Sequence, residues 1–243
     1  MTANTIQSNY VREFSDKFVL DLQHKQARLE KGVTPRGQIN GADFTINKFG
    51  MLEMRDKGAR LAETQLDLIN TSVRVVPMQD KILATAIDAT DEYKLKADLR
   101  GPIRETFFAA VNRKKDDVIY NALLGGISSR TTYDGAFTTV DLPATQKITL
   151  TTGVDTGMFT QILAMFMNNE CGIESDEEIY ITYNAAMMKS ILDNEKLTDA
   201  DYAAVKMLWE GKFEGKWLGM NWIPYNRMRD GAGEGTKVGV AWA

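Results

Sequence analysis

The first third of the chain changes from a helical to a strand-like pattern of apolar positions. Tyr10, Phe14 and Phe18 recur every four residues, which predicts a helix over residues 8–31 with one strongly apolar face. A glycine and a proline in the following few residues are expected to end this helix. Because nothing close in the sequence supplies a partner for the apolar face, the face needs a partner from elsewhere.

Two strand patterns then enclose a long polar stretch. Phe44 and Ile46 alternate with polar residues, and a valine-rich strand at 73–76 can continue through residues 82–87. Residues 54–70, between the two strands, are mostly polar and charged. This arrangement predicts a projecting hairpin or arm. A two-stranded ribbon is marginally stable on its own, so we expect the hairpin to lie on another chain.

A long helix is predicted after this hairpin. Pro102 lies near its first turn, and the glycine pair at 125–126 stops it. Its length is about 23 residues, which corresponds to ~35 Å at the helical rise. Residues 127–153 are rich in threonine, glycine and serine, with short strand signals at 137–140 and 147–150.

The back half of the chain alternates helix and strand patterns. Residues 197–223 predict a helix capped by Thr198 or Asp199, a turn region with three glycines, and an aromatic strand from Phe213 that ends at Pro224. The other predicted elements are helices at 158–167 and 185–192 and strands at 178–183 and 237–242. The whole pattern predicts an α+β fold with an extended front half and a compact back half.

Composition narrows the class of protein. The chain has 243 residues, 44% of them hydrophobic and 26% charged, with a formal net charge of −4. An apolar run of the about 18 residues that a membrane helix needs is lacking, and no signal peptide is expected, so we predict no membrane partner. The single cysteine excludes an intramolecular disulfide framework and fits a reducing cytosol. The charge balance gives no support to sequence-specific nucleic-acid binding.

Isolated reactive side chains are interpreted as structural. His24, the single histidine, is expected to be a solvated helix residue, and Cys171 a buried or incidental thiol. One histidine and one cysteine cannot build a zinc site from soft ligands, although an oxygen-only site of distant carboxylates would escape this argument. Asp116 and Asp117 are expected to point to different faces of the long helix and to pair with nearby basic residues.

An acidic run is the one candidate cation site. Glu174, Asp176, Glu177 and Glu178 precede a strand and offer oxygen ligands, but they lack the spacing of a calcium-binding EF-hand loop. The glycine-rich stretches at 125–126 and 231–235 match neither a P-loop nor a dinucleotide fingerprint. The sequence therefore predicts no catalytic residue, no cofactor and no metal.

Taken in order, the elements resemble the major capsid proteins of tailed bacteriophages, which have an HK97-like capsid fold. The match runs over most of the chain. The residues that carry it are Gln26, Arg28, Leu29 and Val33; Ala62, Glu63, Thr64, Asn70, Thr71 and Arg74; Arg113 to Asp117 and Leu124-Gly125; and Leu197-Thr198, Asp201-Tyr202, Leu208, Gly211, Leu218-Gly219 and Trp222-Ile223.

The resemblance implies a division of the chain into four parts. These are an N-terminal arm at 1–35; an extended hairpin called the E-loop at 36–80; a peripheral domain at 81–129 and 216–243 with a long spine helix at 99–124; and an axial domain at 130–215. Relatives usually continue with another strand beyond the position of Ala243, so the peripheral sheet is expected to be incomplete or closed by a different segment.

The resemblance also implies a function. The chain would be a structural, non-enzymatic protein that self-assembles, through pentamers and hexamers, into the icosahedral head shell around double-stranded DNA. It would contact that DNA non-specifically and meet portal and scaffold or decoration proteins. Its place would be the virion, with synthesis and assembly in the cytoplasm of the bacterial host.

Candidate residues for assembly follow from this resemblance and from the local patterns. Apolar residues expected at subunit interfaces are Phe14, Phe18, Phe44 and Ile46, and the charges of Arg60 and Glu63 are expected to set the register of the E-loop on a neighbour. The hinge candidates are Gly37, Gly41, Gly50 and Gly58 in the arm and E-loop, and Gly211, Gly215 and Gly219 between the axial and peripheral domains.

Two other functions stay open from the sequence. An encapsulin-like nanocompartment shares the fold but encloses cargo enzymes instead of DNA. A carboxylate-metal hydrolase would use the acidic residues around 174–178.

Overall fold

The computed structural model describes residues 20–60, 63, 66–86, 100–132, 134–148, 156–171, 176–193, 216–231 and 237–243. The chain divides into two compact units. The first contains Met1–Ala27 and Lys81–Lys115, and the second contains Arg28–Asp80 and Asp116–Ala243. Over the described ranges, every helix is too short or too polar to cross a lipid bilayer.

Three α-helices are described: α1 at Arg100–Leu124, α2 at Thr156–Asn168 and α3 at Ala185–Leu192. All three were predicted. α1 ends directly before the glycine pair at 125–126, as expected. The start of α3 is fixed by Asn184, whose side-chain oxygen accepts a hydrogen bond from the Met187 amide at 2.7 Å.

An antiparallel sheet, sheet A, contains the predicted hairpin. Its strands are β1 (Asp43–Phe49), β2 (Thr71–Pro77), β3 (Ile127–Arg130) and β4 (Thr138–Val140), in that spatial order. β1 and β2 pair along their whole length, from Asp43 opposite Pro77 to Phe49 opposite Thr71. The hairpin and the strand around 137–140 are therefore confirmed, and β3 joins the two.

The second sheet, sheet B, is mixed. Its strands are β5 (Ile179–Tyr183), β6 (Lys216–Trp217), β7 (Met220–Pro224) and β8 (Ala241–Trp242), and their spatial order is β6-β7-β5-β8. β5 pairs with β7 in parallel and with β8 antiparallel. A parallel pair needs a crossover connection, and α3 lies in the segment that makes it.

Both faces of sheet B are apolar because its two central strands alternate between two clusters. On one face, Phe159 of α2 is fully buried against aromatic residues of the sheet. The remaining buried members of this cluster are Met158, Ile179, Ile181, Tyr183, Ile191, Trp217, Met220 and Trp222. Tryptophan rings at 5.2–5.9 Å from their aromatic neighbours fill the space between the helices and the strands.

The opposite face packs against the C-terminal end of α1 and a short segment near residue 30. Its buried members are Leu29, Tyr120, Ile223, Tyr225, Met228 and Trp242. Leu29 lies in a 3₁₀ turn at Leu29–Gly32 and is completely inaccessible to solvent. A segment that precedes the hairpin therefore completes the core beneath β8.

The predicted first helix is wrong over residues 20–28, which are irregular, and Leu29–Gly32 is a 3₁₀ turn. Residues 8–19 lie outside the described part. Side chains of α1 compete for this backbone: Asn112 Nδ2 donates to the Lys25 carbonyl at 2.8 Å. A carbonyl engaged in this way by a residue distant in sequence supports an extended path instead of a helical one.

Four predicted strand segments also differ from the structure. Residues 82–86 are irregular, because the Met78 amide closes the hairpin on the Ala42 carbonyl at its open end. Lys147 and Ile148 follow a 3₁₀ turn instead of forming a strand. The aromatic strand is split into β6 and β7 by a turn at Leu218-Gly219, and the last strand is shortened to Ala241–Trp242, with an isolated bridge between Asp230 and Lys237.

The predicted border between the axial and peripheral domains, at residue 215, falls between two strands of sheet B. β5 lies on the axial side of that border and its parallel neighbour β7 on the peripheral side. The division into domains stays a prediction.

Candidate assembly surfaces

The part of the hairpin beyond its paired strands, residues 50–70, is here named the hairpin tip. Its described residues expose large apolar side chains to a degree that is unusual for an isolated soluble chain. The exposed fractions are 78% for Met51, 53% for Leu52, 100% for Met54, 89% for Leu66, 91% for Leu68 and 49% for Ile69. These side chains are available for contact with another surface.

The predicted interface residues of the paired strands are less exposed than the tip. Phe44 and Ile46 are half-buried on one side of β1, and Phe49, at the end of the same strand, is 69% exposed. Phe14 and Phe18 lie outside the described residues. The sequence interpretation missed the tip because the charged and polar residues between them hid two apolar pairs, at 51–52 and 68–69.

Charged residues flank these apolar side chains. Arg55 pairs with Asp67 across the tip at 2.8 Å. Such an exposed ion pair contributes about 0–1 kcal/mol, so it orients the tip without making it rigid. Arg60 and Glu63, the predicted register residues, are both exposed. They are available to a partner, as the prediction requires.

The segment Arg28–Val33 is here named the arm root. The fully buried Asp116 carboxylate of α1 accepts hydrogen bonds from the backbone amides of Arg28 and Leu29, each at 3.0 Å. The guanidinium of Arg28 donates to the Pro224 carbonyl at 3.3 Å. The prediction of a solvated or helix-paired Asp116 is therefore wrong, because its burial depends on a segment 87–88 residues away in sequence.

The next carboxylate of α1, Asp117, joins a different network. Its two oxygens accept from the Tyr225 hydroxyl at 2.8 Å and from the Arg227 guanidinium at 3.1 Å. Burial, and then the hydrogen bond to Asp117, raise the pKa of Tyr225 well above its ordinary value. The expected pairing of Asp117 within its own helix is replaced by pairing with the segment after β7.

Tyr120, one turn further along α1, holds the segment between β7 and β8. Its hydroxyl donates to the Val238 carbonyl at 2.5 Å and accepts from the Arg229 amide at 3.1 Å. Burial raises the pKa of Tyr120 above 10.0, and the Arg229 amide opposes this rise. Through Asp116, Asp117 and Tyr120, which lie on two adjacent turns, α1 thus positions the arm root and the chain between β7 and β8.

Comparison with known proteins identifies this architecture. A model of a family described as phage capsid protein matches residues 6–243. The chain belongs to the phage capsid protein family. It is a major capsid protein of the kind that forms the phage head shell. No curated protein matches it.

Solved structures agree with this family and show the same fold. The capsid of the cyanophage P-SCSP1u has a chain that is 16% identical, with a TM-score of 0.69 over 96% of this chain and 74% of that chain. A chain of Mycobacterium phage Che8 is 16% identical, with a TM-score of 0.62 over 92% of this chain and 78% of that chain. A chain of the capsid of Ralstonia phage GP4 is 11% identical, with a TM-score of 0.59 over 93% of this chain and 75% of that chain. The predicted α+β capsid fold is confirmed.

Within this capsid protein, the other reactive side chains have structural contacts. His24 is half-buried in the irregular segment, not in a helix, and its carbonyl accepts from Arg113 at 3.4 Å. The Cys171 thiol donates to the Asn169 carbonyl at 3.2 Å.

One carboxylate of the acidic run at 174–178 takes part in an ion pair. Glu178 pairs with Lys216 at 2.7 Å, and this hydrogen-bonded lysine, followed by Tyr180, holds the pKa of Glu178 below its usual value. In the described ranges, no three histidine, cysteine, aspartate or glutamate side chains come together as metal ligands do. Glu174 lies outside these ranges.

The glycine hinge candidates occupy different local structures. Gly37 and Gly41 have φ of +78° and +143°, which favour glycine, in the segment before the hairpin. Gly50 pairs with Asn70 at the start of the tip, and Gly58 lies within the tip. Gly219 has φ +74° in the two-residue turn between β6 and β7; Gly211 and Gly215 lie outside the described residues.

Proposed function

We propose that this phage capsid protein assembles, through pentamers and hexamers, into an icosahedral shell that encloses the double-stranded DNA of a tailed phage. The observation that carries the proposal is the apolar hairpin tip, together with the family of the chain. At about 25 cal/mol per Å², apolar surface exposed on one subunit stabilises a complex when a neighbour covers it. Many identical contacts then add up over a closed shell.

In this proposal the hairpin is the E-loop, residues 1–35 are the arm, and α1 is the spine helix. The tip lies across a neighbouring subunit, and the charges of Arg60 and Glu63 set its register there. Gly37 and Gly41, with their positive φ, allow the segment before the hairpin to take different paths at non-equivalent positions of the shell. The axial and peripheral domains supply the remaining contacts.

The proposal also covers partner molecules and the location of the protein. Portal and scaffold or decoration proteins meet the shell during assembly in the host cytoplasm, and the packaged DNA is contacted without sequence preference. The protein has a structural role and no catalytic one. The pairing of Glu178 with Lys216 supports this, because it gives that carboxylate a structural use. The match to a phage capsid family favours this reading over an encapsulin-like compartment.

Electron microscopy of the purified recombinant protein tests the proposal. Closed shells, tubes or sheets are expected as the concentration rises, and a strict monomer at high concentration would contradict it. Charge reversal at Arg60 or at Glu63 is expected to reduce assembly while the circular dichroism spectrum and the melting temperature of the subunit stay unchanged. Normal particles from both reversals would remove the register role from these residues.

A further inference from the structure

The arm root is held by contacts from three separate parts of the second unit. Asp116 of α1 accepts from two of its amides, and the Arg28 side chain reaches the Pro224 carbonyl. At its other end, Trp242 Nε1 of β8 donates to the Gly32 carbonyl at 2.7 Å. The segment is therefore tied at both ends by hydrogen bonds to residues far away in the sequence.

Shape complementarity adds to these bonds. The Gly32 backbone lies against the stacked rings of Tyr180 and Trp242, whose centroids are 5.8 Å apart. A Cβ at position 32 would come within 2.8 Å of Trp242 and 3.0 Å of Tyr180. Glycine is therefore required here by close approach. Between the two ends, Leu29 inserts its side chain completely into the core.

The surrounding chain is bound differently. Residues 34–38 are exposed, and Gly37 has open space where a Cβ would lie. On the other side, Leu22 is fully exposed, and the carbonyls of His24 and Lys25 accept hydrogen bonds from Arg113 and Asn112, which belong to the first unit. The stretch that the second unit holds thus begins at Arg28 and ends near Val33.

We propose that Asp116, Gly32 and Trp242 form an anchor that fixes the root of the N-terminal arm, so that a pull on the arm by a neighbouring subunit is borne at residues 28–32. A buried carboxylate that accepts several amide hydrogen bonds is suited to this task, because such charge-assisted bonds are stronger than neutral ones. The use of the anchor in a shell rests on the proposed function; the anchor itself belongs to the single subunit.

Limited trypsin digestion of the unassembled full-length subunit tests the anchor, because trypsin cleaves after basic residues and the subunit has basic residues both within the arm root and outside it. Cleavage after Arg28 and after Lys31 is expected to be slow in the wild type, whereas cleavage after the exposed Arg36 is fast. Asp116→Ala, Asp116→Asn and Trp242→Phe are expected to speed cleavage after Arg28 and Lys31 by about tenfold or more, because proteolysis follows the population of the open segment.

Matched controls separate release of the anchor from general unfolding. Glu105→Ala removes an exposed carboxylate of the same helix and is expected to leave the pattern unchanged. Cleavage after Lys189 in α3 and after Arg227, beside the buried Met228, reports unfolding of the second unit. If Asp116→Ala also speeds cleavage after Lys189 and Arg227, this variant unfolds the second unit. The anchor is then judged from the two milder variants, Asp116→Asn and Trp242→Phe.

Two results would overturn the anchor. One is wild-type cleavage after Arg28 and Lys31 at the rate seen after Arg36. The other is unchanged protection in both Asp116→Asn and Trp242→Phe. In assembled particles, the same two variants are expected to lower the urea concentration at which shells dissociate, and unchanged dissociation would contradict the proposed use of the anchor in a shell. Failure of the wild type to form particles would count against the proposed function alone, because the digestion does not need a shell.

Discussion

The Tyr225 hydroxyl donates a hydrogen bond to Asp117 Oδ1 at 2.8 Å, next to the bond from Arg227 to the other oxygen of the same carboxylate. Tyr225 is almost completely buried and packs against Tyr120 at 5.1 Å between ring centroids. Burial and the neighbouring carboxylate both disfavour the tyrosinate, so the pKa of Tyr225 in the folded state lies above 10.0. Arg227 opposes this rise.

The first prediction concerns alkaline pH. The unfolded chain releases the Tyr225 proton near pH 10, whereas the folded chain keeps it, because the folded pKa is raised. The stabilisation is therefore fully present below about pH 10 and is lost as the pH rises through the folded pKa. In Tyr225→Phe, the free energy of unfolding is expected to fall less steeply with rising pH in this range. Urea unfolding between pH 8 and 11.5 measures it.

The same variant loses a hydrogen bond at neutral pH. Its free energy of unfolding at pH 8 is expected to fall by about 1–3 kcal/mol, because the Asp117 oxygen loses a donor. Tyr180→Phe is the matched control for the hydrogen bond at pH 8, where a smaller loss is expected because the Tyr180 hydroxyl bonds the exposed Glu178 at 2.9 Å and is less buried. It does not serve as a control for the pH slope, because the bond to Glu178 raises the pKa of Tyr180 as well. An identical pH slope in wild type and Tyr225→Phe would contradict the prediction.

The second prediction concerns the core of sheet B. Phe159 is fully buried, with its ring at 5.3 Å from Trp222 and 5.7 Å from Trp217. Phe159→Ala removes these contacts and leaves a cavity, so the free energy of unfolding is expected to fall by about 3–5 kcal/mol. Phe137, which is 41% exposed and lies under Arg130, is the control. Phe137→Ala is expected to cost about 1 kcal/mol. Equal losses in chemical denaturation would argue against this core.

The third prediction uses a strained turn. Leu218 has φ +52° and Gly219 has φ +74°, as a two-residue type I′ hairpin turn requires. Leucine is disfavoured in this conformation, whereas asparagine tolerates it and often precedes glycine in such turns. Leu218→Asn is therefore expected to raise the free energy of unfolding by about 1 kcal/mol. The melting temperature measures the change, and Leu218→Val, expected to lower it, is the control. A lower melting temperature in Leu218→Asn would contradict the strain.

The elements that were predicted correctly have their signals in local residues, namely proline or glycine at the ends of an element and the alternation of polar and apolar positions. α1 has a proline in its first turn and glycines directly after its end, so local residues define its limits. β1 alternates polar and apolar residues, and the predicted hairpin follows from that pattern. The short elements α2, α3 and β5 are apolar enough to be recognised without their neighbours.

Contacts between distant residues explain what the sequence could not predict. Residues 20–28 have a helical pattern, but the Lys25 carbonyl is bound by Asn112 and the Arg28 amide by Asp116. The buried role of Asp116 depends in the same way on the arm root. Tertiary contacts of this kind override local propensity and leave no local signal. The exposed tip differs: its apolar pairs are visible in the sequence, and the surrounding charges hid them.

The fourth prediction concerns the hairpin tip. Met54 and Leu68 are 100% and 91% exposed, so their replacement by serine is expected to change the free energy of unfolding of the subunit by less than about 0.5 kcal/mol. On docking to a neighbour, each side chain of this size contributes about 1.5–3 kcal/mol through burial. The double variant Met54→Ser, Leu68→Ser is therefore expected to raise the concentration needed for assembly by about tenfold or more. Light scattering with electron microscopy measures that concentration.

Val140 supplies the control for this prediction. It is 54% exposed in β4, away from residues 50–70, so Val140→Ser makes a comparable change to the exposed surface of the same sheet. This variant is expected to assemble like the wild type. If the tip variant and the control raise the assembly concentration equally, general loss of apolar surface is responsible. If neither raises it, and urea unfolding gives the same subunit stability for all three proteins, the tip has no role in assembly.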